Sequence, residues 1–430
     1  MTLRQLSCGI RVALEPMPHL HSISLGVWVN AGSVFENGTT SGVSHFIEHM
    51  VFKGTERRSA TDIAMEMDAI GANLNAFTAK ECTCFHVKAL DEDMPLCVDI
   101  LSDLVLHNTL DPEELAREKG VVLEEIAMTQ DSPEDLVFDK ASEAFFAGTA
   151  LEREILGTEN TVSAMFSDDL RAYMNTHYTA ENIVIAAAGK FDEAALLGEL
   201  EARFGCAPHG ERRQVPVHET QTGLSVSLTE KDVEQINTVL MFPGAPLASK
   251  ESFALSVLSN ILGGSMSSRL FQKLREQRGL CYSVYSYPMT YRGAGALCLY
   301  VGSTAKQAKE ALRLMLSELD DLLENGVTEE EFARCKQQLK GSYVLGMESA
   351  SAHMNAIGKS ALLMGEEYDM EKTLRRIEAV SIEDVNAMIP HVFAAPHMTL
   401  AAVGRLGKGE KALGRALETQ VRDWYAKHGA

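Results

Sequence analysis

The sequence predicts an α+β protein built from two homologous αβ-sandwich domains, each an antiparallel-rich sheet flanked by helices. Three observations point there. The same order of extended and helical segments runs twice along the chain. Two pairs of segments also match in residues. Glu114-Leu115-Ala116-Arg117-Glu118-Lys119 lines up with Glu331-Phe332-Ala333-Arg334-Cys335-Lys336 at an offset of about 217, and the seven residues from Ile183 line up with those from Met398 at about 215. Finally, 430 residues at 46% apolar and 23% charged content can fill sizeable cores. At roughly 150 residues per domain the length allows two or three domains; the repeat makes it two.

The elements follow in order. Residues 10–14 and 23–29 alternate or are β-rich and predict strands. Helical patterns cover 43–52 and 61–70, and an extended alternating run fills 73–90. Helices are expected at 94–106 and 112–128, then at 168–173, a strand at 183–188 and a helix at 193–204. The second half repeats the plan: strands at 225–228 and 239–242, helices at 250–262 and 270–277, an extended run over 283–301, helices at 306–323 and after Thr328, a helix at 382–388, a strand at 398–403 and a terminal helix. Between the halves, Pro208, Gly210, Pro216 and four charged residues sit in a stretch without apolar periodicity. The expected division is therefore 1–210, a linker over 211–222, and 223–430.

Charge excludes some functions. With 39 Lys+Arg against 60 Asp+Glu the formal net charge is −21, a poor match for a nucleic-acid binder, which needs a basic face. No apolar run approaches the roughly 18 residues that span a bilayer, so no membrane partner is expected. The first residues lack the uninterrupted apolar stretch of a secretory signal and the Arg/Ser-rich look of a transit peptide. A cytoplasmic, bacterial-like location is expected, ahead of the mitochondrial matrix. The eight cysteines include no C-x-x-C pair and read as buried small hydrophobes in a reducing compartment. Cys82 and Cys84 would share one strand face, which favours packing over metal binding. Asn37-Gly38-Thr39 reads as a turn in which Asn-Gly supplies positive φ.

One stretch carries chemistry: Ser44-His45-Phe46-Ile47-Glu48-His49-Met50. On a helix His45 and His49 lie about 40° apart and one turn separated, so both imidazoles can reach one metal ion. Glu48 shares that face without being forced to coordinate. This H-x-x-E-H order inverts the zincin pattern and keeps its logic: zinc acidifies a water and the adjacent carboxylate takes the proton. A catalytic zinc needs a third protein ligand. The helical tract from Pro112 offers Glu118 and Glu125, two turns apart on one face, and Glu124, about 100° away from Glu125, which spacing alone does not exclude. Carried into the second half at an offset of 215, His45, Glu48 and His49 fall on Asn260, Gly263 and Gly264; at 217, Glu125 falls on Ser342. The second copy keeps the architecture and none of the chemistry, as expected for a metal site rather than a structural motif.

His45, Glu48 and His49 followed 76 residues later by Glu125 resemble the pitrilysin/insulysin family of zinc peptidases, in particular the β subunit of mitochondrial processing peptidase and its half-length bacterial relatives. The resemblance implies Glu125 as third ligand, Glu118 as its support, one zinc ion per chain and a catalytic first domain. It implies that Arg275 and Tyr282, seven apart in a second domain without metal ligands, hold the substrate carbonyl and stabilise the oxyanion. It implies that Asn75, Ala76 and Phe77 belong to an edge strand that takes the peptide as an extra strand. The chain would be one half of a clamshell, working as a homodimer in which Arg275 and Tyr282 complete the partner subunit's site. The expected activity is zinc-dependent hydrolysis of unfolded or short peptides, with basic ones drawn into an acidic chamber. One rival is a non-catalytic subunit of a hetero-oligomeric processing peptidase; such subunits typically have a broken zinc motif, whereas this one is intact. A second rival keeps the enzyme but makes it dependent on a different partner subunit, against which the complete Arg275/Tyr282 pair argues. Gly263-Gly264-Ser265 and 404–409 lack the pattern of a phosphate loop. Met347, Met354 and Met364 read as core filler, and His86, His107 and His177 as structural or exposed.

Overall fold

The computed structural model describes residues 1–216, 222–409 and 412–429. The chain forms two compact units, neither of them one continuous stretch. The first comprises Met1–Ile126, Arg153–Pro216 and Val344–Met370; the second comprises the described residues of Ala127–Glu152, Val217–Tyr343 and Glu371–Ala430.

The first unit holds six strands: β1 (Thr2–Gln5), β2 (Arg11–Pro16), β3 (Ser22–Val29), β4 (Asn73–Thr78), β5 (Thr83–Leu90) and β6 (Ile183–Gly189). Their order is β1-β2-β6-β3-β5-β4. Only β2 and β6 run parallel. The second unit holds β7 (Gly223–Glu230), β8 (Gln235–Pro243), β9 (Cys281–Thr290), β10 (Gly295–Thr304) and β11 (His397–Gly404). Their order is β7-β11-β8-β10-β9, with only β7 and β11 parallel. Without β1, the two orders are the same strand for strand. The repeat read from the residues therefore extends to the hydrogen-bonding plan.

Two extended runs each resolve into a hairpin. Residues 73–90 fold back between β4 and β5, and 283–301 between β9 and β10. Alternation is the same on both arms of a hairpin, so it cannot show the reversal by itself. β1, four residues long and half exposed, carries no alternation to read.

In each unit both faces of the sheet are covered. In the first, helices α1 (Val43–Met50) and α2 (Pro112–Asp131) lie on one face. Phe46, Ile47 and Met50 of the former and Leu115, Val122 and Ile126 of the latter join Val12, Leu25, Val27 and Phe85 in the core. The second unit repeats this with Leu240, Phe242, Leu299 and Leu400. The opposite face takes a helix from the other half of the chain. Helix α3 (Pro133–Phe145) covers the second sheet, where Phe138 stacks on Tyr285 and Tyr300. Helix α4 (Ala350–Lys359) covers the first, over Trp28, Cys84, Val184 and Ala186. A Cβ on Gly358 would stand 2.2 Å from Trp28 Nε1, so only glycine admits the indole so close. Neither helix belongs to the repeating order read from the sequence. β3, β6, β8 and β11 are buried on both faces, and these helices supply the second cover.

Smaller expectations fare variously. Cys82 and Cys84 are buried together in that second apolar layer, and all eight cysteines are free thiols. The Asn37 turn forms without positive φ at Asn37 or Gly38; Asn37 Oδ1 accepts from the Thr39 and Thr40 amides at 2.9 and 3.2 Å instead. Of the expected linker, 217–221 lie outside the described residues. The residues before it run along the first unit: Asn182 Nδ2 donates to the Glu211 carbonyl at 2.8 Å and Asn30 Nδ2 to that of Arg213 at 2.9 Å. Among the described residues no helix is long and apolar enough to cross a membrane.

Candidate metal centre

Helix α1 is short, and its entry is built with care. Gly42 takes φ 92° at the N-cap, where a Cβ would meet the Leu156 carbonyl at 2.6 Å. The Glu36 side chain accepts from the Gly42 and Ser44 amides at 2.7 and 2.9 Å, capping the helix N-terminus. Ser44 Oγ donates to Tyr173 Oη at 2.9 Å. With Val43, Phe46, Ile47 and Met50 buried in the core, the turn on the other side presents His45, Glu48 and His49.

Helix α2 faces them. Its buried positions are Leu115, Glu118, Val122 and Ile126, so a carboxylate stands in an apolar stripe. Beside that stripe, Glu125 Oε2 lies 3.5 Å from His45 Nε2 and 3.3 Å from His49 Nε2. The ligand atoms of His45, His49 and Glu125 all lie within 4.8 Å of one another. A tetrahedral ion with ligands at about 2.0–2.2 Å holds them about 3.4 Å apart, so the 3.5 and 3.3 Å separations fit a shared centre. Two imidazoles and one carboxylate form a three-ligand set of the kind that catalytic zinc uses. Glu124, the rival by spacing, is exposed and outside the cluster.

The protonation pattern favours ligation. Burial, then the neighbouring His49, lower the His45 pKa to about 4, so its imidazole is neutral with a lone pair free near pH 7. His49 Nδ1 is 2.9 Å from Glu118 Oε1. A carboxylate can only accept there, so Nδ1 carries a proton, and Nε2 is the ring nitrogen turned toward Glu125 as the candidate ligand atom. Glu118, 5% exposed, also meets Lys53 Nζ at 2.6 Å through Oε2.

Glu48 points elsewhere. Thr78 Oγ1, at the end of β4, donates to its Oε2 at 2.5 Å. Burial raises the Glu48 pKa, with Glu125 adding to the rise, against the opposing Thr78 hydrogen bond and His49. A half-buried carboxylate of raised pKa beside the ligand cluster is the profile of a general base.

The remaining expected residues divide between the units. β4 is the edge strand of the first sheet, and among the described residues no strand pairs with its outer side. Asn75 is exposed, Ala76 packs toward the main core, and Phe77 meets Trp28 edge-on at 5.5 Å. In the second unit Arg275 lies in a short π-helix, Phe271–Glu276, within the helix expected over 270–277. Its guanidinium sits 4.9 Å from the Tyr282 ring and 4.7 Å from that of Phe271. Tyr282 is 75% exposed.

The second half shows the motif erased in space as well as in sequence. Asn260, at the His45 position, donates through Nδ2 to the Cys335 carbonyl at 3.1 Å. At Gly263, the Glu48 position, a Cβ would stand 2.5 Å from the Ser286 amide nitrogen of β9. Backbone occupies the space that side chains fill in the first half.

Sequence reasoning passed over Thr78, Lys53 and Glu36. Lys53 had a legible signal, since it follows His49 by four residues and continues one helical stripe. Thr78 and Glu36 act across tertiary contacts that no local pattern reveals.

A family model described as "Insulinase (Peptidase family M16)" matches residues 11–159, and one described as "Peptidase M16 inactive domain" matches residues 166–339. The uncharacterized zinc protease YmxG of Bacillus subtilis is 38% identical over 91% of this chain and 96% of its own. An uncharacterized zinc protease of Streptomyces coelicolor is 38% identical over 93% of this chain and 88% of its own. Among solved structures, the peptidase M16 inactive domain from Pseudomonas fluorescens superposes with a TM-score of 0.87 at 20% identity, covering 96% of this chain and 99% of that one. A protease from Helicobacter pylori gives 0.86 at 18% identity, covering 94% and 98%. These two structures share the fold.

Proposed function

Since the chain belongs to the insulinase peptidase family, M16, we propose that it is a zinc-dependent endopeptidase acting on unfolded or short peptides. The observation that carries this is the gathering of His45, His49 and Glu125 on two facing helices, with Glu48 beside them. Those three residues hold one zinc ion. When bound, zinc supplies a Lewis acid for the scissile carbonyl and acidifies water.

The chain's own groups do the rest. Glu48, held at Oε2 by Thr78, takes the proton of the attacking water on Oε1 and returns it to the leaving amine. Glu118 fixes the His49 tautomer. The open side of β4 takes the peptide as an added strand at Asn75–Phe77 through main-chain hydrogen bonds. The metal centre belongs to the first half of the chain, 1–210. The second, 223–430, contributes Arg275 and Tyr282 as hydrogen-bond donors to the developing oxyanion, in the partner subunit's site of a homodimer. The net charge of −21 favours basic peptides, an attraction that rising salt weakens.

The test is direct. The purified protein binds one zinc per chain and cleaves a quenched basic peptide, and Glu48→Gln abolishes cleavage while keeping the metal. Full metal with no Glu48-dependent cleavage overturns the enzyme reading of the lone protein and favours a partner-dependent subunit.

A further inference from the structure

Lys53 has no part in the chemistry above, yet it touches it. His45, His49 and Lys53 follow at four-residue intervals, the last in the tight turn Val51–Lys53 that continues α1. They face Glu125 and Glu118, seven apart on α2. Glu118 answers two partners: Oε1 to His49 Nδ1 at 2.9 Å and Oε2 to Lys53 Nζ at 2.6 Å. A carboxylate with one anchor can swivel about its terminal torsion; two anchors on opposite oxygens fix its plane.

The backbone that carries Lys53 is itself clamped. Gly54 turns the chain at φ 137°. Thr55 Oγ1 donates to Asp103 Oδ2 at 2.7 Å, Arg57 Nε to Asp103 Oδ1 at 3.0 Å, and Arg58 Nη2 to Asp99 Oδ2 at 2.6 Å. Asp103 is fully buried in the helix Met94–Leu106. The lysine stem therefore starts from a fixed point. At the repeat offsets, Lys53 falls on Ser268 and Glu118 on Cys335. The pair vanishes from the copy that lacks the ligands, where a purely architectural ion pair would still have served.

We propose that Lys53 is a positioning residue of the metal centre: its ammonium holds the Glu118 carboxylate in the orientation that aligns His49, and so sets the affinity for zinc. This rests on the zinc reading of the site. Lys53→Met, Lys53→Arg and Glu118→Gln, alone and combined, are compared with wild type in chelator-competition titrations of Zn²⁺. Lys53→Met weakens zinc binding about 10–100-fold, as loss of a ligand-orienting partner does. It also shifts the visible bands of the Co²⁺-substituted protein, and Lys53→Arg recovers most of the affinity. In the Glu118→Gln background Lys53→Met adds less than about threefold, because the two act as one unit. The metal-free Tm of Lys53→Met stays within about 2 °C of wild type.

Wild-type affinity in Lys53→Met overturns the proposal, as do additive losses in the double variant. So does a zinc loss matched by a fall in metal-free Tm that Lys53→Arg does not recover. A wild-type protein that takes up no zinc overturns the zinc reading itself, and this proposal with it.

Discussion

Thr78 Oγ1 donates to Glu48 Oε2 at 2.5 Å, tying the last residue of an edge strand to the helix that carries both histidines. The contact selects which carboxylate oxygen of Glu48 remains free. Thr78→Val keeps the shape and removes the donor. A hydrogen bond to a charged group contributes about 1.5–3 kcal/mol, so kcat should fall roughly 10–100-fold. KM and zinc content should stay near wild type, because Thr78 touches neither ligand nor bound peptide in this scheme. Steady-state kinetics with metal analysis checks this; a rise in KM at constant kcat contradicts it.

Glu125 and Glu124 are adjacent, and the geometry separates them. Removing zinc from wild type with excess chelator should lower Tm, and restoring zinc at a thousand times its Kd should return about 4 kcal/mol. Glu125→Gln should lose most of that zinc-linked shift. Glu124→Gln, at an exposed position outside the cluster, should keep it. Thermal scans with and without zinc decide between the two glutamates.

The difference between those neighbours also shows how far the sequence is legible. The repeat is written in apolar spacing, so the order of elements along the chain and the two cores follow from it, whereas the order of strands within each sheet does not. His45, Glu48 and His49 are legible because one short helix displays them at fixed angles. The choice between Glu124 and Glu125 depends on the rotation of α2 against α1, which only packing sets. The helices Pro133–Phe145 and Ala350–Lys359 cover the sheet built mainly from the other half. No local period announces which sheet a helix will cover. The pairing of Thr78 with Glu48 spans 30 residues and a sheet edge, beyond any spacing rule.

At Gly263 backbone fills the space that a side chain would need. A Cβ there meets the Ser286 amide at 2.5 Å and the Tyr285 carbonyl carbon at 2.8 Å, both backbone. Gly263→Ala should destabilise the protein by about 1–3 kcal/mol, the usual range for overpacking, read from denaturant midpoints. Writing His, Glu and His into positions 260, 263 and 264 should leave zinc at one ion per chain. Two ions per chain contradict the argument.

Asp99 and Asp103 set the acid limit of the first unit. Burial alone would raise their pKa values, but hydrogen bonds and charge from Arg58 and Arg57, with Thr55 on Asp103, outweigh it and leave both lowered. A lowered carboxylate pKa stabilises the fold above its unfolded value of about 3.9, and that stability drains away as pH falls through the folded pKa. With chelator present, so that zinc plays no part, stability should be flat in these groups above about pH 5 and fall below about pH 4. Asp103→Asn should cost about 3–5 kcal/mol at pH 7, as for breaking a buried pair, and the gap to wild type should narrow in acid. A gap that widens on acidification contradicts the assignment.

Tyr282 is 75% exposed, with the Arg275 guanidinium over its ring. If the pair completes the partner subunit's centre, two inactive variants should rescue each other. Glu48→Gln removes the base, and Tyr282→Phe removes an oxyanion donor at a cost of about 10²–10³ in kcat. A mixed dimer then holds one site with an intact base from one subunit and an intact tyrosine from the other. Random mixing makes half the dimers mixed, each with one working site of two, so activity should recover to about a quarter of wild type. That figure follows from a donor acting in trans, worth its full transition-state stabilisation. Were the tyrosine to act within its own chain, every site in the mixture would lack either base or donor, and activity would stay at the level of the parents.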